Sequence, residues 1–165
     1  MRTHTTAAVS ALLIALCTFG VASADEVPPE FQNRPGPAAC YNAVPTYVVP
    51  GPNMVTVTGG GNDVILGTPW ADEIWAGAGN DIILGMGGDD VIHGGDDNDL
   101  ICAGTGNDKA DGDRADDTVY GEPGNDRLRG GDGMDLLSGD LNSDGGDGEA
   151  GFDFCTASTE VQVSC

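Results

Sequence analysis

Aspartate recurs at every ninth position between residues 63 and 153 of this chain. The eleven members of the series are Asp63, Asp72, Asp81, Asp90, Asp99, Asp108, Asp117, Asp126, Asp135, Asp144 and Asp153. The chain is acidic, with 27 Asp and Glu among 165 residues, but acidity alone does not place carboxylates in one register. A constant period of this kind is typical of repeat folds, in which each unit packs against its neighbours.

The nine-residue unit has further regularities when the aspartate is numbered as position six. Position one is small, position four is mostly Gly, and position five is often Asn or Asp. Position eight is apolar in most units, as at Ile65, Ile74, Ile83, Ile92, Ile101, Ala110, Val119, Leu128 and Leu137. Because Gly, Asn and Asp tolerate positive φ, positions one to six predict a tight turn. Positions seven to nine predict a short strand with one inward side chain.

Two such turns and two such strands complete one coil, so equivalent strands recur every eighteen residues. A three-residue strand is not stable alone, but stacked coils bury the position-eight side chains in one continuous core. The sequence therefore predicts an all-β fold of stacked coils. A disordered acidic tail is the alternative that composition alone supports, but it has no need of glycine and isoleucine in register.

The repeat segment resembles the haemolysin-type (RTX) calcium-binding nonapeptide-repeat family, whose unit is G-G-x-G-x-D-x-U-x. Clear copies lie at residues 77–83, 104–108 and 130–137. The resemblance implies a parallel β-roll, a right-handed β-solenoid of nine-residue repeats, in a small secreted protein. It also implies that calcium binding, with several Ca²⁺ ions, is the function, and we expect no enzymatic activity.

In this family each ion lies between neighbouring turns on one edge, held by turn carbonyls and by aspartates eighteen residues apart. Calcium takes six to eight oxygen ligands, which suits such a site. Carried onto this sequence, the resemblance implies these metal-binding residues: Asp63, Asp72, Asp81, Asp90, Asp99, Asp108, Asp117, Asp126, Asp135, Gly79, Gly88, Gly106, Gly124 and Gly133. Since aligned carboxylates repel one another without a cation, we expect metal binding and folding to be one equilibrium.

Three units depart from the repeat. Trp70 stands at a position where Gly is usual, and the turns at 113–115 and 140–143 also lack glycines. Gly145 and Gly146 occupy strand positions of the tenth unit. We expect these segments to be irregular, with weak or absent calcium sites. Residues 140–145 also fit the first half of an EF-hand loop, but the twelfth position is Gly151 instead of the bidentate Glu.

The sequence outside the array divides into three segments. Residues 1–24 read as a secretory signal peptide, with an apolar stretch too short to span a membrane and a small-x-small site at 22–24. Residues 25–57 form a Pro-rich N-terminal segment and cap, 58–156 the calcium-binding repeats, and 157–165 a closing tail. We therefore expect a secreted, extracellular protein without a membrane anchor.

Four cysteines follow the expected cleavage site: Cys40, Cys102, Cys155 and Cys165. An even number in a secreted chain predicts disulfides, and four cysteines allow three pairings. Spacing favours Cys155 with Cys165, which leaves Cys40 with Cys102. Zinc binding is the competing interpretation, but no two cysteines have the close spacing of zinc ligands.

The outward positions of the odd-numbered strands are apolar: Val64, Leu66, Ile82, Leu84, Leu100 and Cys102. We therefore predict that the segment from Cys40 to Thr58 covers this face and caps the first coil. Trp70 and Trp75 are expected to pack against that cap.

A formal charge of -21 argues against nucleic acid and anionic lipid as partners, because both would be repelled. We find no motif of a hydrolase or phosphate-binding loop, and His93 falls at an outward strand position. Two functions remain: a stand-alone secreted calcium-binding module, or a calcium-dependent adhesion or toxin- or enzyme-associated accessory module. The sequence identifies no protein or glycan partner.

Overall fold

The computed structural model describes residues 40, 43–140, 142–156 and 162–164, and these form two parallel sheets of seven strands each. Sheet A contains β1 (Tyr47–Val48), β3 (Val64–Leu66), β5 (Ile82–Leu84), β7 (Leu100–Cys102), β9 (Thr118–Tyr120), β11 (Leu136–Ser138) and β13 (Phe154–Thr156). Sheet B contains β2 (Val55–Gly60), β4 (Glu73–Ala78), β6 (Val91–Asp96), β8 (Lys109–Arg114), β10 (Arg127–Gly133), β12 (Gly145–Gly151) and β14 (Gln162–Ser164). Among these residues there is no helix long and apolar enough to cross a membrane.

The chain alternates between the two sheets, so that each pair of strands completes one coil of a solenoid. Neighbouring strands from β1 to β13 are parallel and in an eighteen-residue register, as where Ile65 pairs with Ile83 and Ile74 with Ile92. The all-β parallel β-roll expected from the repeat is thereby confirmed. The stacking also means that equivalent residues of successive units form columns along the solenoid.

The core consists of the position-eight side chains, which point between the sheets. Five isoleucines, at 65, 74, 83, 92 and 101, are fully buried, and Val119, Leu128 and Leu137 continue the same cluster. Each such side chain contributes about 1.5–3 kcal/mol on burial. Because each strand contributes one large side chain to this core, with small additions such as Ala76, the apolar stabilisation of each coil is small.

The two sheets differ in strand length. Most sheet A strands have three residues, as predicted, but the sheet B strands from β2 to β12 have six or seven. The prediction that positions one to six always form a turn is therefore wrong where sheet B passes into sheet A. There, backbone pairing continues past position nine, as between Gly77 and Gly95, and carries the strand into the following unit.

Two of the three departing units keep the positive φ of the repeat, contrary to our expectation of irregular turns, whereas Thr68 and Trp70 in the first unit do not have it. Asp113 and Ala115 take positive φ values of 75° and 78°, and Asp140 and Asn142 take 61° and 89°. Glycine normally occupies these positions because it alone takes such φ without strain. Gly145 and Gly146 also pair regularly within β12, because neighbouring strands supply the hydrogen bonds whatever the side chain.

The N-terminal segment caps the solenoid by adding a coil to it. β1 and β2 pair in parallel with β3 and β4 in the same register as the repeats. Cys40 is buried against Leu84 and Cys102 on the apolar outer face of sheet A, and coverage of that face by the rest of the segment stays a prediction. Trp75 does not pack there: it lies on the outer face of sheet B, stacked on His93, and the expectation for it was wrong.

Cys40 and Cys102 are joined as a disulfide in this arrangement, with their Cα atoms 6.4 Å apart. Cys155 is also disulfide-bonded. Its expected partner, Cys165, lies outside the described residues, as do the predicted signal peptide and most of the tail.

Candidate metal centre

The aspartates of position six form two columns, one along each edge of the solenoid. Edge 1 comprises the turns from sheet B to sheet A and carries Asp63, Asp81, Asp99, Asp117, Asp135 and Asp153. Edge 2 comprises the turns from sheet A to sheet B and carries Asp72, Asp90, Asp108, Asp126 and Asp144. The structure thus brings together every pair eighteen residues apart that the resemblance implied.

One carboxylate oxygen of each interior aspartate holds the preceding coil. The backbone N–H of Asp63 donates to Oδ1 of Asp81 at 2.7 Å, and the N–H of Asp81 donates to Oδ1 of Asp99 at 2.8 Å. The same bond repeats from Asp99 to Asp153 on edge 1 and from Asp72 to Asp144 on edge 2. These bonds fix the orientation of each carboxylate, so the second oxygen has a defined direction too.

The second oxygen of the interior aspartates lacks a hydrogen-bond donor in the described part of the chain. Within the described residues, Oδ2 is buried and accepts no hydrogen bond in eight aspartates: Asp81, Asp90, Asp99, Asp108, Asp117, Asp126, Asp135 and Asp144. A buried carboxylate oxygen without a donor costs several kcal/mol, and a buried charge costs more. Such oxygens must be compensated by a proton or by a cation.

The electrostatics of the columns agree with that requirement. Burial raises the pKa of Asp90, Asp117 and Asp126 to about 8 from an ordinary value of 3.8. Burial likewise raises the pKa of Asp99 to about 7 and of Asp108 to about 6. In each case the backbone N–H bond acts in the opposite direction, and neighbouring carboxylates add to the rise. The pKa is also raised, mainly by burial, at Asp81, Asp135 and Asp144.

The first aspartate of each column is held by threonine. On edge 2, the backbone N–H and hydroxyl of Thr68 donate to Oδ2 of Asp72 at 2.7 and 2.8 Å. On edge 1, the Thr46 hydroxyl donates to Oδ1 of Asp63 at 3.0 Å. The threonines thus replace only part of the missing contacts: at Asp72 the other oxygen, Oδ1, is buried without a donor among the described residues. Sequence reasoning noticed the unusual 68–72 turn but missed the roles of Thr46 and Thr68.

The five position-four glycines, Gly79, Gly88, Gly106, Gly124 and Gly133, lie where turns stack most closely. A Cβ on any of them would collide with backbone atoms of the turn eighteen residues earlier. Their immediate role is to let backbones approach, so that the turns stack. A contribution of their carbonyls to metal binding stays a prediction.

Position five has a role that sequence reasoning misassigned. Its Asn and Asp were taken to supply positive φ, but positive φ occurs at positions two and four instead. Their side-chain oxygens accept hydrogen bonds from the backbone N–H of the next coil, as from Asn98 to Asn80 at 3.1 Å. The sequence did contain a signal for this role, namely the recurrence of Asn at position five. A ladder of side chains forms only when the same position of successive coils carries the same kind of residue.

Asp144 belongs to the edge 2 column although its turn lacks glycines. Its Oδ1 accepts the N–H of Asp126 at 2.9 Å, and its Oδ2 is buried without a donor among the described residues. Asp153 similarly receives the N–H of Asp135 at 3.1 Å. The carboxylate of the EF-hand-like segment is thus used in the repeat register.

The columns present only oxygen ligands, in a repeating pattern set by the backbone. A sequence profile for the RTX calcium-binding nonapeptide repeat matches in four overlapping copies, at residues 57–91, 75–110, 111–145 and 120–154. The chain belongs to the RTX calcium-binding nonapeptide repeat family. No curated protein and no solved structure is significantly similar to it.

Membership of the RTX family places the two aspartate columns in a calcium-binding context. The repeat is a calcium-binding module folded as a β-roll. The matched copies include every strand from β4 to β11. The orphaned oxygens fit the family's ion. Calcium favours carboxylate and carbonyl oxygens and accepts the flexible geometry that such turns provide.

Proposed function

We propose that this protein binds several Ca²⁺ ions in the two columns and that binding drives folding of the roll. The buried carboxylate oxygens without a donor carry the proposal. If the aspartates served only to keep the chain soluble, they would be exposed to solvent. The position-six aspartates are instead buried at nearly every interior turn. The ligands would be the position-six aspartates of successive coils on one edge, together with turn carbonyls.

Coupling to folding follows from the balance of forces along the solenoid. Each coil gains about 1.5–3 kcal/mol for each position-eight side chain it buries. Each coil also brings buried carboxylates next to one another, which repel when ionised. Because a cation removes that repulsion only in the stacked state, its binding free energy becomes folding free energy.

The surroundings expected for the protein agree with such a mechanism. We propose that residues 1–24 direct export and that the mature chain is extracellular, held by the pairs Cys40 with Cys102 and Cys155 with Cys165. Disulfides persist in oxidising compartments, and extracellular calcium sites typically have dissociation constants of about 10⁻⁴–10⁻³ M. An export signal, oxidised cysteines and weak calcium sites are mutually consistent.

Far-UV circular dichroism during calcium titration, with magnesium in a parallel titration, tests the proposal. We expect a cooperative gain of β signal in calcium alone, because Mg²⁺ demands a smaller and stricter octahedral site. A spectrum already β-rich in chelator would show that the core and disulfides suffice. A spectrum without β structure in either ion would overturn the proposal.

A pair of variants on two successive turns of edge 1 sharpens this experiment. Asp117→Asn removes a buried position-six carboxylate, whereas Asp132→Asn removes an exposed one on the next turn. We expect the calcium midpoint to rise on the order of tenfold for Asp117→Asn and to change little for Asp132→Asn. Equal shifts would indicate general charge attraction instead of defined sites.

A further inference from the structure

The outer face of sheet B carries a cleft of about 520 Å³, away from the two aspartate columns. Its lining includes Trp75, His93, Asp111, Asp113 and Arg129. Trp75, His93, Asp111 and Arg129 occupy position nine of four successive sheet B strands and pair directly across them. The parallel register therefore places these side chains in one row on one face, with spacings of about 4.8 Å.

Asp113 adds a second carboxylate beside the imidazole. It follows Asp111 by two residues within β8, and its Oδ2 lies 3.4 Å from Nδ1 of His93. One ligand atom from each of His93, Asp111 and Asp113 lies within 4.8 Å of the other two. A nitrogen and two oxygens therefore converge on one point of the cleft.

The 3.4 Å separation is informative because it is long for a hydrogen bond, for which about 2.7–3.2 Å is usual. It equals the ligand–ligand edge of a tetrahedral zinc site, about 3.3–3.4 Å when metal–ligand distances are about 2.0–2.1 Å. The separation therefore suits a shared metal ion as well as an ion pair, and all three ligand atoms lie within 4.8 Å of one another.

The imidazole is also held in place. Trp75 stacks on His93 with ring centroids 3.9 Å apart and an interplanar angle of 15°. The side chains of His93 and Asp111 are 24% and 18% exposed, so both are partly withdrawn from water while the cleft stays open. Orientation of a histidine before binding reduces the entropy lost when a metal binds.

We propose that His93, Asp111 and Asp113 form a site for a borderline divalent transition metal ion such as Zn²⁺. Imidazole nitrogen suits zinc, copper and nickel, whereas calcium takes oxygen ligands. The site is therefore chemically distinct from the oxygen-only columns on the edges. Three protein ligands leave a fourth position for water or for a group on a partner.

Arg129 limits the affinity of this site. Its guanidinium Nη1 lies 3.4 Å from Oδ2 of Asp111, and its Nη2 contacts Glu149. A cation beside a ligating carboxylate opposes the binding of a second cation. Removal of Arg129 should therefore strengthen metal binding, whereas removal of a ligand should weaken it. Nonspecific attraction predicts the same signs for charged residues, so the imidazole of His93 and the carboxylate control Asp96 are the variants that distinguish a site.

Isothermal titration calorimetry of zinc binding to the calcium-saturated protein tests the inference. We expect one zinc ion to bind, with affinity lowered at least tenfold in His93→Gln and in Asp113→Asn. Arg129→Gln should raise the affinity. Asp96→Asn is the matched control, because Asp96 lines the same cleft but pairs with Arg114. Zinc affinity unchanged in His93→Gln, or lowered equally in Asp96→Asn, would overturn the proposal.

The imidazole signals give a second readout. The chain has two histidines, His4 and His93, and only His93 belongs to the proposed site. In nuclear magnetic resonance spectra, zinc should therefore shift the imidazole nitrogen signals of one histidine, and these signals should be missing in His93→Gln. Loss of zinc binding in Asp117→Asn but not in His93→Gln would place zinc in the edge columns and contradict the inference. The calcium-induced circular dichroism of His93→Gln should be unchanged, so this test and that of calcium-driven folding can fail independently.

Discussion

The first coil and the central coils of the solenoid treat the same aspartate in different ways. At Asp72, Thr68 supplies two hydrogen bonds to Oδ2 from within the turn. At Asp90 and Asp108, one repeat or more further along edge 2, Oδ2 is buried and lacks a donor in the described part of the chain. The residue at position two thus changes which oxygen finds a protein donor: Oδ2 at Asp72, but Oδ1 at Asp90 and Asp108. In each of the three aspartates the other oxygen is buried without a donor in the described part of the chain.

The largest difference should appear when pH is varied without metal. Burial raises the pKa of Asp90, Asp117 and Asp126 to about 8, above the ordinary 3.8 that an unfolded chain retains. Groups with a raised pKa bind protons on folding. The metal-free coils are therefore stabilised fully below pH of about 4 and lose that stabilisation as pH rises through about 6–8.

We accordingly expect the β signal in chelator to increase as pH falls from about 8.5 to about 5.5. Calcium competes with the same protons for the carboxylates. The calcium concentration at the midpoint of the titration should therefore rise as pH falls over the same interval. Circular dichroism in chelator and calcium titrations at several pH values measure the two effects. A metal-free β signal that grows with rising pH would contradict this account of the columns.

The next effect separates interior from terminal aspartates. Asp108→Asn removes a carboxylate with an aspartate neighbour on both sides, whereas Asp72→Asn alters the first member of edge 2, in which Thr68 holds Oδ2 and Oδ1 lacks a donor. We expect the calcium midpoint to rise on the order of tenfold for Asp108→Asn and clearly less for Asp72→Asn, because Asp72 has one neighbouring coil fewer with which to share an ion. Calcium titrations of both variants, followed by circular dichroism, make the measurement. Equal shifts would show that Thr68 does not replace the ion.

Several features of the fold were predictable because they depend on period alone. The eighteen-residue register, the buried isoleucine row and the apolar outer face of sheet A all follow from which residues recur at which position. The longer strands of sheet B were not predictable, since glycine at positions one to three suits a turn and an extended pair equally. Backbone pairing with neighbouring coils decides between them.

The site was predictable to the level of columns and no further. Register assigns aspartates to edges, but it does not say which carboxylate oxygens find protein donors. Thr46 comes from outside the repeats, and Thr68 occupies a turn that looked merely defective. The metal-ligand geometry of His93 with Asp113 depends on side chains from two strands and different positions of the unit. Such contacts can be recognised only in the three-dimensional structure.

The smallest effect tests the threonine itself. Thr68→Ala removes the hydroxyl bond to Asp72 and leaves the backbone N–H bond, so the unfolding free energy of the calcium-loaded protein should fall by about 0.5–1.5 kcal/mol. Thr68→Ser keeps a hydroxyl and should restore most of the loss. Thr105→Ala, on an exposed residue of the 103–108 turn, is the matched control. Chemical denaturation monitored by circular dichroism gives the three values.

The calcium dependence of Thr68→Ala decides the interpretation. If the hydroxyl substitutes for an ion at Oδ2 of Asp72, its loss adds to the Oδ1 that already lacks a donor, and stability should depend more steeply on calcium concentration than in the parent. If Thr68 contributes only local packing, the loss should be the same at every calcium concentration, and Thr68→Ser should recover little of it. The slope of stability against calcium therefore separates a hydroxyl that replaces an ion at Oδ2 from one that contributes only local packing.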